Sequence, residues 1–489
     1  MPSKILLALA LLISAPQARG DALRRQRPAP PPSPTVAPAT NSAEACRGSD
    51  EAFDAAVAEH RREYLQFLER KISGAGREQL QETLRREGAG VKLESRGGQT
   101  AEGLGHAVFQ ATNHDARTRR VLSETLARAY APATAVLFYF HDDKAQRLDA
   151  WLVDAKGIRA QSSVGVSAAE LTRRNDSLRG ALGVTAAQMS RAPRLRDVAP
   201  ATPAAAPTNP EKAIAAMTET LLPPCLARAL EGVEDLIVVP VLDLGTTPFA
   251  VLRPFGSREF LIERATLYVA PSLFEIGEET GAWSPQFTKA LVVGNPDFTN
   301  KTRWHFPKLD GAHKEARAII AEFGGTLLDG PRATKRAVRE RAPEADLLYF
   351  ATHGTADAAD SRRGSFLVLS AEGEDLGLWT MEEILQQRFR ARLAVLSACQ
   401  TGLGERYKGG VMALGRTFQV AGVPRVVMSL WKVEDEATAE LMRAFTANLR
   451  RKELPARALR LAMSRLARTR PPSVWASFVF FGTPEKISR

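Results

Sequence analysis

Two apolar runs end in reactive residues. LLYFATHG delivers His353 followed by Gly354, and LAVLSACQTG delivers Cys399 with a glycine three residues on. Each run is apolar enough to be a buried strand of a parallel sheet, so both side chains are expected at the sheet's carboxyl edge. That edge is where α/β sheets build their sites. A thiol and an imidazole together there have the parts of a nucleophile and its proton-transfer partner. Gly354 adds a backbone that a substrate can approach closely, so its N–H and that of Cys399 are candidate oxyanion-hole donors. Taken singly, a strand-end cysteine is most often a small buried hydrophobe and a lone histidine a hydrogen-bonded structural group. It is the joint occurrence, on two apolar strands with glycines beside both, that points to chemistry.

Further motifs extend the pattern. VVGNP at Val292 to Pro296 reads as a strand and turn, and LDGAHKEARAI at Leu309 to Ile319 as the following helix. After the cysteine come GGVMALGRTFQVAGVPRVVMSLWKVED and finally WASFVFFG. In these segments and their order the chain resembles the CHAT-domain family of caspase-like cysteine peptidases, relatives of separase, caspases and gingipains. His353 precedes Cys399 by 46 residues, close to the roughly 50-residue upstream spacing of caspases. The caspase signature has a glutamine before the cysteine, whereas Gln400 follows it here. The resemblance is therefore to the wider clan, and an aspartate-cleaving specificity is not carried over.

The resemblance implies an α/β fold with a caspase-like parallel-sheet catalytic half at 287–489. It also implies a caspase-like, non-catalytic buttress half at 132–286. The implied activity is a cysteine endopeptidase that cleaves protein substrates through a thioester acyl-enzyme, with His353 and Cys399 as its dyad and no cofactor. SLWKVED resembles the separase segment in which an aspartate lines the pocket for a basic side chain of the substrate, and Asp435 is the matching position. The same carboxylate suits a helix N-terminus. Trp431 either walls that pocket or fills the core. A different class of function, a regulated scaffold that keeps the dyad but binds a protein partner through its helical arm, stays open.

The net charge of +11 suits an acidic partner, but the arginines are spread along helices without the interleaved aromatics of a nucleic-acid groove. No nucleic acid is expected. The N-terminus has Lys4, nine apolar residues from Ile5 to Ile13 and the small residues Ala18 and Gly20, the order of a secretory signal at 1–20. The protein is thus expected to be exported, periplasmic or secreted, with no transmembrane anchor. Three cysteines, Cys46, Cys225 and Cys399, leave at least one unpaired in an oxidising compartment; Cys46 and Cys225 are either a bridge or two buried thiols. No motif with metal-ligand spacing is present.

RPAPPPSPTVAPAT makes 21–42 a proline-rich spacer. A charged helical arm follows at 43–131, where EAFDAAVAEHRREYLQFLERKI has apolar residues at steps of three and four. AVLFYFHDDKAQRLDAWLVDAKG alternates as a hairpin, and 192–210 is an Ala/Pro-rich loop. LIVVPVLDLGTTPFAVLRP and EFLIERATLYVAP supply further strands. In the catalytic half, strands are expected at about 289 to 294, 346 to 352, 366 to 369, 393 to 398, 425 to 430 and 475 to 481, with helices between most of them, giving a parallel sheet.

Overall fold

The structure is a computed structural model. It describes residues 50–71, 119–184, 209–256, 258–277, 283–298, 306–355, 364–398, 404–407, 410–431 and 435–486. The signal segment, the spacer, Cys46, most of the 192–210 loop and Cys399 lie outside the described residues, as does the side chain of Asp435. All the described residues belong to one unit, Asn41–Arg489.

The strands are β1 (Thr134–Asp142), β2 (Arg147–Asp154), β3 (Gly157–Gly165), β4 (Asp235–Val239), β5 (Thr266–Val269), β6 (Ala290–Pro296), β7 (Thr326–Gly330) and β8 (Leu347–Thr352). They continue as β9 (Gly354–Thr355), β10 (Phe366–Val368), β11 (Leu378–Thr380), β12 (Leu393–Ala398), β13 (Gly404–Tyr407), β14 (Gly410–Ala413), β15 (Val426–Ser429) and β16 (Phe478–Phe481). Eleven of them form one sheet, in the order β3-β2-β1-β4-β5-β16-β15-β12-β8-β6-β7.

From β15 to β7 the five strands are parallel. The last strand, β16, is antiparallel to β15 and parallel to β5, which continues parallel through β4 to β1. Two bundles of opposite direction therefore meet at β16. The expected strand at 475 to 481 is real, but it runs against its neighbour: two helices packed on each other, Asp435–Arg450 and Pro455–Ala467, lie between β15 and β16, and a helix pair that runs back and then forward again returns the chain to the end of the sheet from which β16 must run opposite to β15.

Three further differences have local causes. The expected strand at 366 to 369 is β10, which joins β9 and β11 in a separate three-stranded sheet, because β9 follows His353 directly and turns the chain antiparallel. TLLDG forms β7, an edge strand whose run of apolar residues is too short to stand out. LGTTPFAV makes two 3-10 turns, Leu244–Thr246 and Phe249–Val251, rather than a strand; Pro240 and Pro248 have no N–H to give to a ladder.

Helix Asp50–Lys71 buries Phe53, Ala56, Val57 and His60, the three- and four-residue spacing of one helical face. Phe53 meets Phe138 of β1 and Trp151 of β2 edge-on, with centroids 5.9 and 5.7 Å apart. Helices Asp310–Phe323, Asp435–Arg450 and Pro455–Ala467 lie side by side, the first on β6 and β8 and the last on β5 and β16. A Cβ on Gly294 would stand 2.3 Å from that of Ala316, so the glycine of VVGNP is what lets the first of these helices close onto β6. No helix among the described residues is long and apolar enough to cross a membrane.

Candidate active site

The strands β8 and β12 are buried along their whole length and pair in register from Leu347 with Leu393 to Thr352 with Ala398. The next residue in each chain segment is His353 and Cys399, respectively. Ser429 of β15 donates its hydroxyl to the Ala398 carbonyl, which fixes the peptide just before the cysteine. Cys399 itself and Gln400 lie outside the described residues.

His353 is only 5% exposed. Its Nε2 is 2.7 Å from the carbonyl oxygen of Pro307. A carbonyl only accepts, so Nε2 is the donor, and in the neutral form of the ring Nδ1 is the acceptor. Phe298 and Phe306 pack on the imidazole, their centroids 4.7 and 5.4 Å from it. The ring is thereby held in plane and orientation.

The sequence motifs explain how that carbonyl arrives. Asn295, at the end of β6, takes a left-handed φ of 43°, which asparagine tolerates better than most residues. Its Oδ1 accepts the Leu309 N–H at 3.3 Å. That bond ties down the 306–309 segment, which carries both Pro307 and Phe306. VVGNP and LDG thus cooperate in presenting the histidine, through a turn and a side-chain hydrogen bond.

Gly354 is buried and pairs with Leu367 of β10. Val368 N donates to His353 O at 2.8 Å. By the alternation of an antiparallel ladder, the next pair points its N–H and C=O groups outward, so the Gly354 N–H turns away from β10. This is the orientation an oxyanion donor needs.

Asp435 begins the helix Asp435–Arg450. Trp431 is 2% exposed, with its indole N–H on the Ser473 carbonyl at 3.1 Å. Downstream of the cysteine, Arg416 binds Glu275 of the other bundle through both terminal nitrogens, at 2.9 Å from Nη1 to Oε2. The helix Leu414–Val420, which feeds β15, is thus anchored across the β16 seam.

The CHAT domain family matches residues 211–483. The chain belongs to the CHAT-domain family. Tetratricopeptide repeat protein 28 of Mus musculus is 27% identical over 299 residues, and that of Homo sapiens 26%. Each alignment covers 52% of this chain and 12% of the relative. Among solved structures, the Saccharomyces cerevisiae separase–securin complex has a TM-score of 0.48 at 10% identity, over 78% of this chain and 31% of that one. The Arg-specific cysteine proteinase gingipain R has a TM-score of 0.36 at 10% identity, over 58% and 70% of the two chains.

In this CHAT-domain chain, β8 and the residues after it bring together His353 and Gly354 with three residues that sequence reasoning did not single out: Phe298, Phe306 and Pro307. Nothing in their local pattern marks them, because their role arises only when β6 and β8 pair. Asn295 did carry a signal, since an asparagine between Gly294 and Pro296 is turn chemistry. Cys225 is half-buried and its thiol is 3.3 Å from the Gln161 carbonyl.

Proposed function

We propose that this CHAT-domain protein is a cysteine endopeptidase with His353 and Cys399 as its dyad. The observation that supports it most is the pairing of Thr352 with Ala398 on adjacent parallel strands, each followed at once by one member of the dyad. Nδ1 of His353 takes the thiol proton, and the thiolate attacks the carbonyl carbon of the scissile peptide. The developing oxyanion is met by the N–H groups of Gly354 and Cys399. The C–N bond then breaks as His353 returns the proton to the departing amine, leaving a thioester. Water, deprotonated by the same nitrogen, hydrolyses it.

Asp435 is proposed to receive a lysine or arginine side chain before the cut, with Trp431 supporting the pocket wall. Export through residues 1–20 accompanies this reading. A library of short peptides differing at the position before the cut, assayed with wild type, Cys399→Ala and Asp435→Asn, tests it. Cleavage lost in Cys399→Ala, and a preference for Arg or Lys lost in Asp435→Asn, are expected. Equal turnover by wild type and a folded Cys399→Ala protein overturns the peptidase reading and favours the scaffold.

A further inference from the structure

The outer face of the two C-terminal helices holds much of the positive excess of the chain. Residues 436–470 contain nine Lys and Arg against three Glu, an excess of six within a net charge of +11. The helices Asp435–Arg450 and Pro455–Ala467 lie antiparallel: Asn448 Nδ2 donates to Ala458 O at 3.1 Å, and Arg470 reaches Glu440 at 2.7 Å. Arg457, Leu461, Arg465 and Arg468 follow one another at steps of four, four and three residues, and all four are exposed. Such steps align on one stripe of a helix. From the two cross-links above, Arg443 falls opposite Arg465.

Some of these charges are answered within the chain. Arg450 meets Glu322, Arg457 meets Glu453 and Arg470 meets Glu440, at 2.5, 2.9 and 2.7 Å. Among the described residues no carboxylate pairs with Arg443, Arg451, Lys452, Arg465 or Arg468. A face that keeps like charges close together on rigid helices weakens its own fold and attracts a complementary surface. Leu461, 38% exposed, is the one large apolar side chain exposed on it.

We infer that this face docks an acidic segment of a protein partner, whose carboxylates pair with the arginines and which seats an apolar side chain on Leu461. Guanidinium forks match carboxylates, and the chain's own Arg470 pairs with a carboxylate on this face, its Nε and Nη2 lying 3.1 and 2.7 Å from one oxygen, Oε2, of Glu440. A single-stranded nucleic acid would want aromatic platforms, and the exposed residues of these two helices include none. A membrane would want a broad apolar face to insert, and one leucine is too little. The stripe from Arg457 to Arg468 is about 16 Å long at the α-helical rise, which an extended segment of about five residues spans.

The test uses the full chain and fluorescence anisotropy at fixed salt. Its probes are a labelled peptide of about twelve residues, made of Asp and Glu around a central Leu, its Asn/Gln counterpart, and a single-stranded oligonucleotide of matching length. The acidic peptide should bind, its neutral counterpart should not, and Arg465→Glu with Arg468→Glu should weaken binding by about tenfold or more. Leu461→Ser should weaken it by about threefold. Both variants are exposed surface changes, and unchanged circular dichroism and melting confirm that they fold. Unaltered peptide affinity in the charge-reversed protein overturns the inference, as does an oligonucleotide that binds wild type more tightly than the acidic peptide.

Discussion

Each bundle of the sheet has a buried histidine at the end of an apolar strand, and the two are used differently. His141 is the next-to-last residue of β1 and has both ring nitrogens engaged, Nδ1 with Asp143 at 2.8 Å and Nε2 with the Val166 carbonyl at 3.0 Å. Both partners come from the same β1–β3 meander. His353 follows β8, and the carbonyl that orients it belongs to Pro307, 46 residues earlier. A hairpin closes the first histidine on itself, while the crossover from β6 brings the second a partner from the segment that leads into the helix Asp310–Phe323. In the first bundle Asn175 likewise donates to Thr246 and accepts from Thr247, both at 3.0 Å, in a buried network.

Alanine at either histidine should separate these roles. His353→Ala is expected to lower hydrolysis by the folded fraction by roughly 10³-fold or more, since the dyad acts as a unit, alongside the stability loss of about 1–3 kcal/mol that removing a buried hydrogen-bonded ring brings. His141→Ala should leave turnover of the folded fraction intact and destabilise by about 1–3 kcal/mol, the loss expected for removing a buried hydrogen-bonded group. Urea unfolding and initial rates measure both. Comparable rate losses in the two variants would break the comparison.

The seam between the bundles is the next target. Glu275→Gln removes the carboxylate that the largely buried Arg416 binds across the seam, and a loss of about 3 kcal/mol is expected in urea unfolding. Replacing both with Leu and Met should recover most of it, because the pair offsets its own desolvation only in part.

His60 sharpens the comparison through pH. It stacks on Phe274 at 5.9 Å and meets Phe138 at 5.4 Å, and burial lowers its pKa from 6.5 to about 4. The unfolded chain therefore binds a proton below about pH 6.5 that the folded chain refuses until about pH 4. No penalty exists above that window, it grows as pH falls through it, and below it the loss levels at about 3 kcal/mol. His60→Phe should flatten the dependence of melting temperature on pH between these limits, and an unaltered slope would contradict the burial of the ring.

The smallest effect is expected at Asn295. Asn295→Gly keeps the left-handed turn but drops the bond to Leu309, for a loss of about 1 kcal/mol and a few-fold lower rate, with the acid limb of the pH–rate profile displaced. Asn295→Ala adds the backbone strain, about 1–2 kcal/mol more. Thermal melts and pH–rate curves separate the two contributions.

Much of this was legible because β8 and β12 are continuous apolar runs ending in polar chemistry, and their expected bounds differ from the observed ones by at most one residue. The helix over 50–71 was equally plain from its spacing. What escaped notice depends on partners far away in the chain. TLLDG is a strand only because β6 lies beside it, β10 leaves the main sheet because β9 captures it, and β16 runs backward because the other bundle offers it β5. For the site, a histidine and its glycine could be read from one strand, whereas Pro307, Phe298 and Phe306 gain meaning only from the pairing of β6 with β8.

The central claim is that Cys399 is a thiolate nucleophile activated by His353. An electrophilic thiol probe of peptide form, followed by peptide mapping, tests it most directly. The account predicts labelling concentrated on Cys399, at a rate that falls at least about tenfold in His353→Ala, with Cys225 slow in both proteins. Labelling of Cys399 no faster than of Cys225, or unaffected by loss of the imidazole, would contradict it.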